Sequence, residues 1–188
     1  MSSSRSGYHH GGLAQALEAA AMQLLAEKPA QEISLREVAR AADVSHNAPY
    51  HHFADRRGLL KTLAERSMAD LVDEVRVAIE GAPDPVTAAI AGGQAYIRFA
   101  VERPHAFDVI YDPTVCIPGS PTETMAPLID ELESLLGGAV VAAGLTHDDV
   151  TAAWGLVHGL GTLAAAGHFP IGVALASADS AVRRMLSV

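Results

Sequence analysis

Apolar residues recur along this chain at intervals of three and four rather than two, the spacing of amphipathic helices and not of strands. Leu13, Leu17, Ala20, Ala21, Leu24 and Leu25 form one such stripe. They predict a first helix from Gly12 to Glu27, ended by Lys28-Pro29. Ser34 then precedes Leu35-Arg36-Glu37, and an acid three residues after a serine is the capping-box spacing. A short helix from Leu35 to Ala42 follows, with Leu35, Val38, Ala39 and Ala42 facing inward. Asp43-Val44 reads as a turn, because aspartate tolerates a left-handed backbone better than most side chains. Ser45 is placed to cap a third helix, from His46 to Phe53, whose Pro49 is cheap only in a first turn.

Asp55 caps a long fourth helix carrying Leu60, Leu63, Leu71, Val72, Val75 and Ile79. Gly81-Ala82-Pro83-Asp84-Pro85 is the clearest break after it. Beyond the break, helices are expected at 86–102, 104–111, 121–143, 148–166 and 173–186. Pro113, Pro118, Gly119 and Pro121 mark 112–121 as a loop. The expected fold is all-α with about nine helices. It divides into a three-helix head over 1–56 and a helical body over 57–188, the fourth helix connecting them.

Composition adjusts this picture in three places. The chain of 188 residues carries a net charge of −9, which by itself argues against nucleic acid. The distribution says otherwise: residues 1–66 hold eight Lys/Arg against seven Asp/Glu, and residues 67–188 hold five against fifteen. The head is tolerated by a phosphate backbone and the body is repelled by it. The single cysteine, Cys116, cannot close a disulfide within the chain, so a reducing cytoplasm is the expected compartment. The longest apolar stretches, 135–145 and 152–167, fall short of a bilayer span and no signal-peptide pattern opens the chain. No membrane association is expected.

Two short helices joined by a tight turn and flanked by amphipathic helices form the arrangement that presents the second short helix to a major groove. The detail of the run from Ser34 to Leu60 is more specific. Ser34, Val38-Ala39, Ala42-Asp43-Val44-Ser45, Tyr50-His51-His52-Phe53, Arg56 and Leu59 closely resemble the DNA-binding domain of the TetR/AcrR family of regulators. Tyr8-His9-His10-Gly11 resembles the N-terminal arm of one branch of that family. Asp43 stands where the family has glycine, placing a carboxylate near the DNA face. Arg56 stands where it has lysine, which keeps the charge with a different geometry.

Candidate DNA contacts follow from side-chain chemistry. Ser45, His46, Asn47, Tyr50 and His51 are polar residues on a short helix with few apolar ones. Asn47 can pair bidentately with adenine and Ala48 can touch a thymine methyl. Tyr50 and His52 suit phosphate, as the resemblance also implies, with Arg36, Arg56 and Lys61 adding charge. Ser34, at a helix N-terminus, offers amide donors to a further phosphate. Phe53 anchors the third helix to the core, and Arg5 in the arm is a candidate for the minor groove. Adjacent histidines on a helix point about 100° apart, so His9-His10 and His51-His52 lack the geometry of a shared ion. No metal or cofactor is expected.

The body is apolar with few aromatics. Its candidates for lining a ligand cavity are Tyr96, Phe99, Phe107, Ile110, Tyr111, Met125, Leu128, Trp154 and His158; in TetR-like proteins the effector pocket lies in this region. The run from Ala153 to Gly159 (AWGLVHG) resembles the WHG-type C-terminal domain of one branch. Ala152, Gly155, Gly159 and Ala166 form a small-residue stripe, suited to close approach by another helix, either within the chain or from a second copy. The resemblance implies a homodimer through the last two long helices, reading a palindromic operator, with a small apolar ligand releasing the DNA. Repression is the family's usual mode. No Gly-x-Ser-x-Gly, His-Glu-x-x-His or phosphate-cradling glycine loop is present, so catalysis is not expected. A helical carrier or interaction protein with weakened DNA binding is the alternative that Asp43 keeps open.

Overall fold

The computed structural model describes residues 9–186, all of its regular structure helical. α1 spans His9–Glu27, a short 3-10 turn spans Ala30–Glu32, and α2 and α3 span Leu35–Ala41 and Pro49–His52. The long α4, Arg56–Glu80, leads into α5 (Pro85–Glu102), α6 (Pro104–Ile110), α7 (Met125–Ala142), α8 (His147–Ala165) and α9 (Ile171–Met185). Nine α-helices among the described residues match the number expected, and most ends fall within two or three residues of their expected places. The N-terminal arm lies outside the described residues up to Tyr8, and with it Arg5.

Local chemistry sets these boundaries. The Ser34 hydroxyl accepts from the Glu37 amide at 3.3 Å, and a Glu37 carboxylate oxygen accepts from the Ser34 amide at 3.0 Å, closing the capping box. Lys28 donates to the other Glu37 oxygen at 2.6 Å. That bond first, and those to Ser34 second, hold the Glu37 carboxyl down at about 2. Asp55 caps α4 through the Gly58 amide, and Asp84 caps α5 through the Thr87 amide. Prolines open α3, α5 and α6, where the missing N–H costs nothing.

Two starts differ from expectation. α3 begins at Pro49 rather than His46, since residues 46–48 form a turn in which the Ala48 amide bonds to the Ser45 carbonyl at 2.9 Å. Ser45 therefore caps no helix. Pro49 is consequently a first-turn residue, the one place in a helix where it is tolerated. α7 begins at Met125 rather than Pro121: Pro118, Gly119 at φ 74° and Pro121 prolong the loop, and the Thr122 hydroxyl accepts from the Met125 amide at 3.0 Å.

α5 is the central helix of the body, packed against α4, α7, α8 and α9. Small residues let its neighbours close in. A Cβ at Gly93 would stand 3.0 Å from Val157 of α8, and one at Gly161 of α8 would stand 3.1 Å from Ala100. Tyr96, Ile97, Phe99 and Ala100 are fully buried there. One face of α4 carries Leu59, Leu63, Leu71, Val72 and Val75 into the same core as Leu17 and Leu25 of α1 and Val38 of α2. Head and body are thus packed onto one continuous helix. No described helix is long and apolar enough to cross a membrane.

Candidate functional site

The turn between α2 and α3 is a left-handed C-terminal cap. The Val44 amide reaches the Ala39 carbonyl at 3.0 Å and the Asp43 amide reaches Arg40 at 3.2 Å, with Asp43 at φ 53°. This is the paired-bond motif that usually ends on glycine, and Asp43 is the only described non-glycine residue with positive φ. Asp43→Gly is expected to stabilise the chain by about 0.5–1 kcal/mol, the left-handed strain relieved less the added freedom of the unfolded glycine. It is also expected to raise affinity for DNA at low salt, with a difference that shrinks as salt screens the lost carboxylate. Urea melts and DNA titrations of the variant check both.

Past that turn, Ser45, His46, Asn47, Tyr50 and His51 are exposed, Tyr50 by 52%. Arg36 of α2 is exposed on the same side as Arg40, one helical turn away. Arg40 is a further candidate, signalled by its spacing of four from Arg36.

Other candidates are placed differently. Ala48 is only 8% exposed, which leaves little of its methyl to offer a thymine. His52 holds a Glu18 oxygen of α1 at 3.0 Å through Nε2, with its ring edge against Phe53, so it pins α3 to α1 instead of reaching for phosphate. Arg56 donates to the Gln31 carbonyl. The Ser34 amide and hydroxyl are taken up by Glu37, leaving only the amides after it for an anion. Lys61, half-buried, lines a cavity in the body. Phe53 is buried as the anchor of α3.

That cavity measures about 670 Å³, within the usual range of small-molecule sites. α4, α5, α7, α8, α9 and the 115–122 loop enclose it, and most of its wall is aliphatic. Of the nine candidate lining residues, Ile110, Tyr111, Met125 and Trp154 are on the wall. Tyr96, Phe99 and Phe107 are not, because α5 and α6 turn them into the core. Leu128 packs against that core from the side.

His158 stands behind the wall in a hydrogen-bonded chain. The Tyr96 hydroxyl lies 2.6 Å from that of Tyr111 and 2.9 Å from His158 Nδ1. Burial pushes both phenols up and the imidazole down, so all three groups are held neutral at ordinary pH.

The polar part of the wall went unread in the sequence. Arg57, Lys61 and Glu65 line it from α4, with Cys116 and Thr122 from the loop. Their spacing of four along α4 was the available signal. Thr122 donates its hydroxyl to Glu65, and burial, reinforced by Asp112 and Glu65, pushes the Cys116 thiol up.

Residues 17–63 match a family model described as "Bacterial regulatory proteins, tetR family", and residues 89–188 match one described as "Tetracyclin repressor-like, C-terminal domain". No curated protein matches the sequence. Among solved structures, a protein of unknown function from Rhodococcus sp. RHA1 is similar over 96% of this chain and 98% of its own, at 29% identity and a TM-score of 0.79. A tetR-family transcriptional regulator from Streptomyces coelicolor covers 94% of this chain and 81% of its own at 18% identity, TM-score 0.73. A TetR family transcriptional regulator from Thermus thermophilus covers 90% and 97% at 24% identity, TM-score 0.65. The last two likenesses concern the fold alone.

Proposed function

This chain belongs to the TetR family of regulators, matched by its C-terminal model over residues 89–188 and its N-terminal model over 17–63, and from that premise we propose that it is a one-component repressor. It binds a palindromic operator as a homodimer and leaves it when a small, mainly apolar molecule enters the body. The observation that carries this reading is that α4 joins a solvent-facing helix-turn-helix directly to an apolar cavity: its first residue, Arg56, bonds to the head and its next turns line the cavity.

The head is the DNA-binding domain, ending near residue 56. Its contacts are Asn47 with His46, Ser45 and His51 at base edges, and Tyr50, Arg36 and Arg40 at phosphates. Arg56 joins them when it leaves Gln31. The body, 57–188, binds ligand and dimerises through α8 and α9. Trp154, Leu163 and Val173 are exposed on these helices by 46, 44 and 51%. In a two-fold dimer the two heads read half-sites about one helical turn of DNA apart. A ligand that changes the spacing of the heads shifts the DNA-competent population.

A contiguous set of contacts carries that shift. Gln31, between α1 and α2, donates through Nε2 to the Asp112 carboxylate at 2.5 Å, and its carbonyl receives Arg56. Asp112 anchors the Thr114 amide and hydroxyl at 2.8 and 2.6 Å, at the base of the loop that forms one wall of the cavity. The cavity loop, the turn of the head and the start of α4 thus meet at one residue. Gln31→Ala is expected to leave operator affinity within about twofold while weakening ligand-induced release about threefold or more, the usual range for residues within a coupling network. Operator titrations with and without ligand read the two effects separately.

The reading is tested by fluorescence anisotropy of the purified protein against the DNA flanking its own coding region and a wider pool of genomic fragments, with scrambled DNA as reference. Specific binding that falls steeply with salt is the expected result. No preference for any fragment over scrambled DNA overturns it in favour of a ligand carrier.

A further inference from the structure

Two cations stand on the cavity wall without a partner among the described residues. Arg57 and Lys61 lie one turn apart on α4, on the same face of the helix. Neither forms a hydrogen bond or ion pair with any described residue. Lys61 is half-buried, where an unpaired ammonium forfeits part of its hydration. The first turn of α4 contains no acid, and Asp55 before it is used as the cap.

Two carboxylates share the wall with the cations, and neither forms an ion pair with them. Glu65, one turn beyond Lys61, takes the Thr122 hydroxyl and pairs with neither cation. Glu133 faces the cavity from α7 and is exposed. The Tyr111 and Cys116 groups stay protonated, because burial raises both. The rest of the wall, down to Val140, Val182 and Met185, is mostly aliphatic, with Trp154 and the hydroxyls of Ser120, Thr122 and Thr151 besides. The two unpaired cations thus lie where the enclosure meets the first turns of α4, and most of the remaining wall is apolar.

We propose that this cavity takes an amphipathic anion, an alkyl or aryl-alkyl chain with a carboxylate or phosphate headgroup held by Arg57 and Lys61. The inference rests on the regulator reading for its consequence, since a headgroup at residues 57 and 61 acts on the turns of α4 next to Arg56. Its chemistry is separable from that reading. A wholly apolar ligand would fill the same volume and leave the Lys61 ammonium unpaired. A headgroup that satisfies it adds charge-assisted hydrogen bonds in a partly water-excluded site.

Trp154, the sole tryptophan, is on the wall, so its fluorescence reports occupancy when protein concentration, and with it self-association, is held fixed. The full-length protein, without DNA, is titrated with dodecanoate, dodecyl phosphate and dodecanol below their aggregation limits. Either anion is expected to bind at least tenfold tighter than the alcohol, and the tighter of the two identifies the headgroup. Lys61→Met is expected to bring the anions down to the alcohol's affinity while leaving the alcohol unchanged, and Lys61→Arg to retain the preference. Equal binding of anion and alcohol by the native chain, a preference that survives Lys61→Met, or no binding of any of the three overturns the proposal. Repeating the titration on preformed protein–DNA complex separates the two readings. Release of DNA by dodecanol as readily as by dodecanoate leaves the regulator standing and removes the headgroup assignment. Tight anion binding by a protein that prefers no DNA does the reverse.

Discussion

Replacing Asn47 and Tyr50 together by alanine is expected to lower affinity for the operator by at least about 100-fold and to leave binding to scrambled DNA far less changed. Asn47 sits at the start of the turn leading into α3, exposed, with its side chain bonded to no described residue. A bidentate amide contact to adenine contributes about 1–3 kcal/mol of discrimination. Tyr50, three residues on and half-exposed, adds a phosphate contact. Hydrogen bonds to charged groups contribute about 1.5–3 kcal/mol, and a dimer makes each contact twice. Stability should barely move, within about 0.5 kcal/mol, because neither side chain packs against the core. Anisotropy titrations of the double variant, paired with a thermal melt, check both halves. Unchanged operator affinity with an unchanged melt would show that α3 is not the reading element. His52 supplies the contrast: His52→Ala breaks its contact with Glu18 and loosens α3 from α1, so stability should fall along with binding.

The features of this chain legible in its sequence are those whose cause is local. The capping box of α2 needs only Ser34 and Glu37, and the turn at Asp43 follows from that residue's tolerance of positive φ. The stop before α5 follows from Gly81 to Pro85, and the long helices from their periodicity. Two starts moved on account of prolines: Pro49, read three residues into its helix, opens α3, and Pro121, read as the first residue of its helix, belongs to the loop before α7.

The candidate sites were read less well, and for one reason throughout: periodicity says which residues share a face, not what that face meets. Tyr96, Phe99 and Phe107 have the composition of a ligand pocket, but α5 and α6 turn them into the core. Lys61 has the charge of a phosphate contact, but it shares the face of α4 that borders the cavity. Ala48 has the size for a thymine methyl, but it is buried in the turn before Pro49. In each case the residue type was a fair guide to chemistry and a poor one to direction.

The glycines of α8 supply the other large expected effect. Gly155 and Gly159 lie one turn apart among Ala152, Leu163 and Ala166 on the exposed face of that helix, and a Cβ built on either meets nothing within 4 Å inside the protomer. Gly161 is different: its missing Cβ admits Ala100 of α5. Packing within the chain therefore accounts for Gly161 and leaves Gly155 and Gly159 unexplained. A glycine in a helix interior costs about 0.8–1.0 kcal/mol relative to alanine, so two open ones together forgo roughly 2 kcal/mol of helix stability. Close approach by a helix of a second copy is the use that fits, flanked by the exposed Trp154, Leu163 and Val173. The variant carrying Gly155→Leu and Gly159→Leu is accordingly expected to weaken self-association by more than about 100-fold, because two bulky side chains would occupy the space of the partner helix, while each protomer stays folded and its melt falls only by the stabilisation that association supplied. Sedimentation equilibrium reads the association and circular dichroism reads the melt. A native chain that sediments as a monomer, or a variant that remains a dimer, would remove α8 from the interface. Operator affinity should fall with dimerisation in this variant although every DNA contact is intact, since a lone head engages a single half-site, and that loss would separate assembly from recognition.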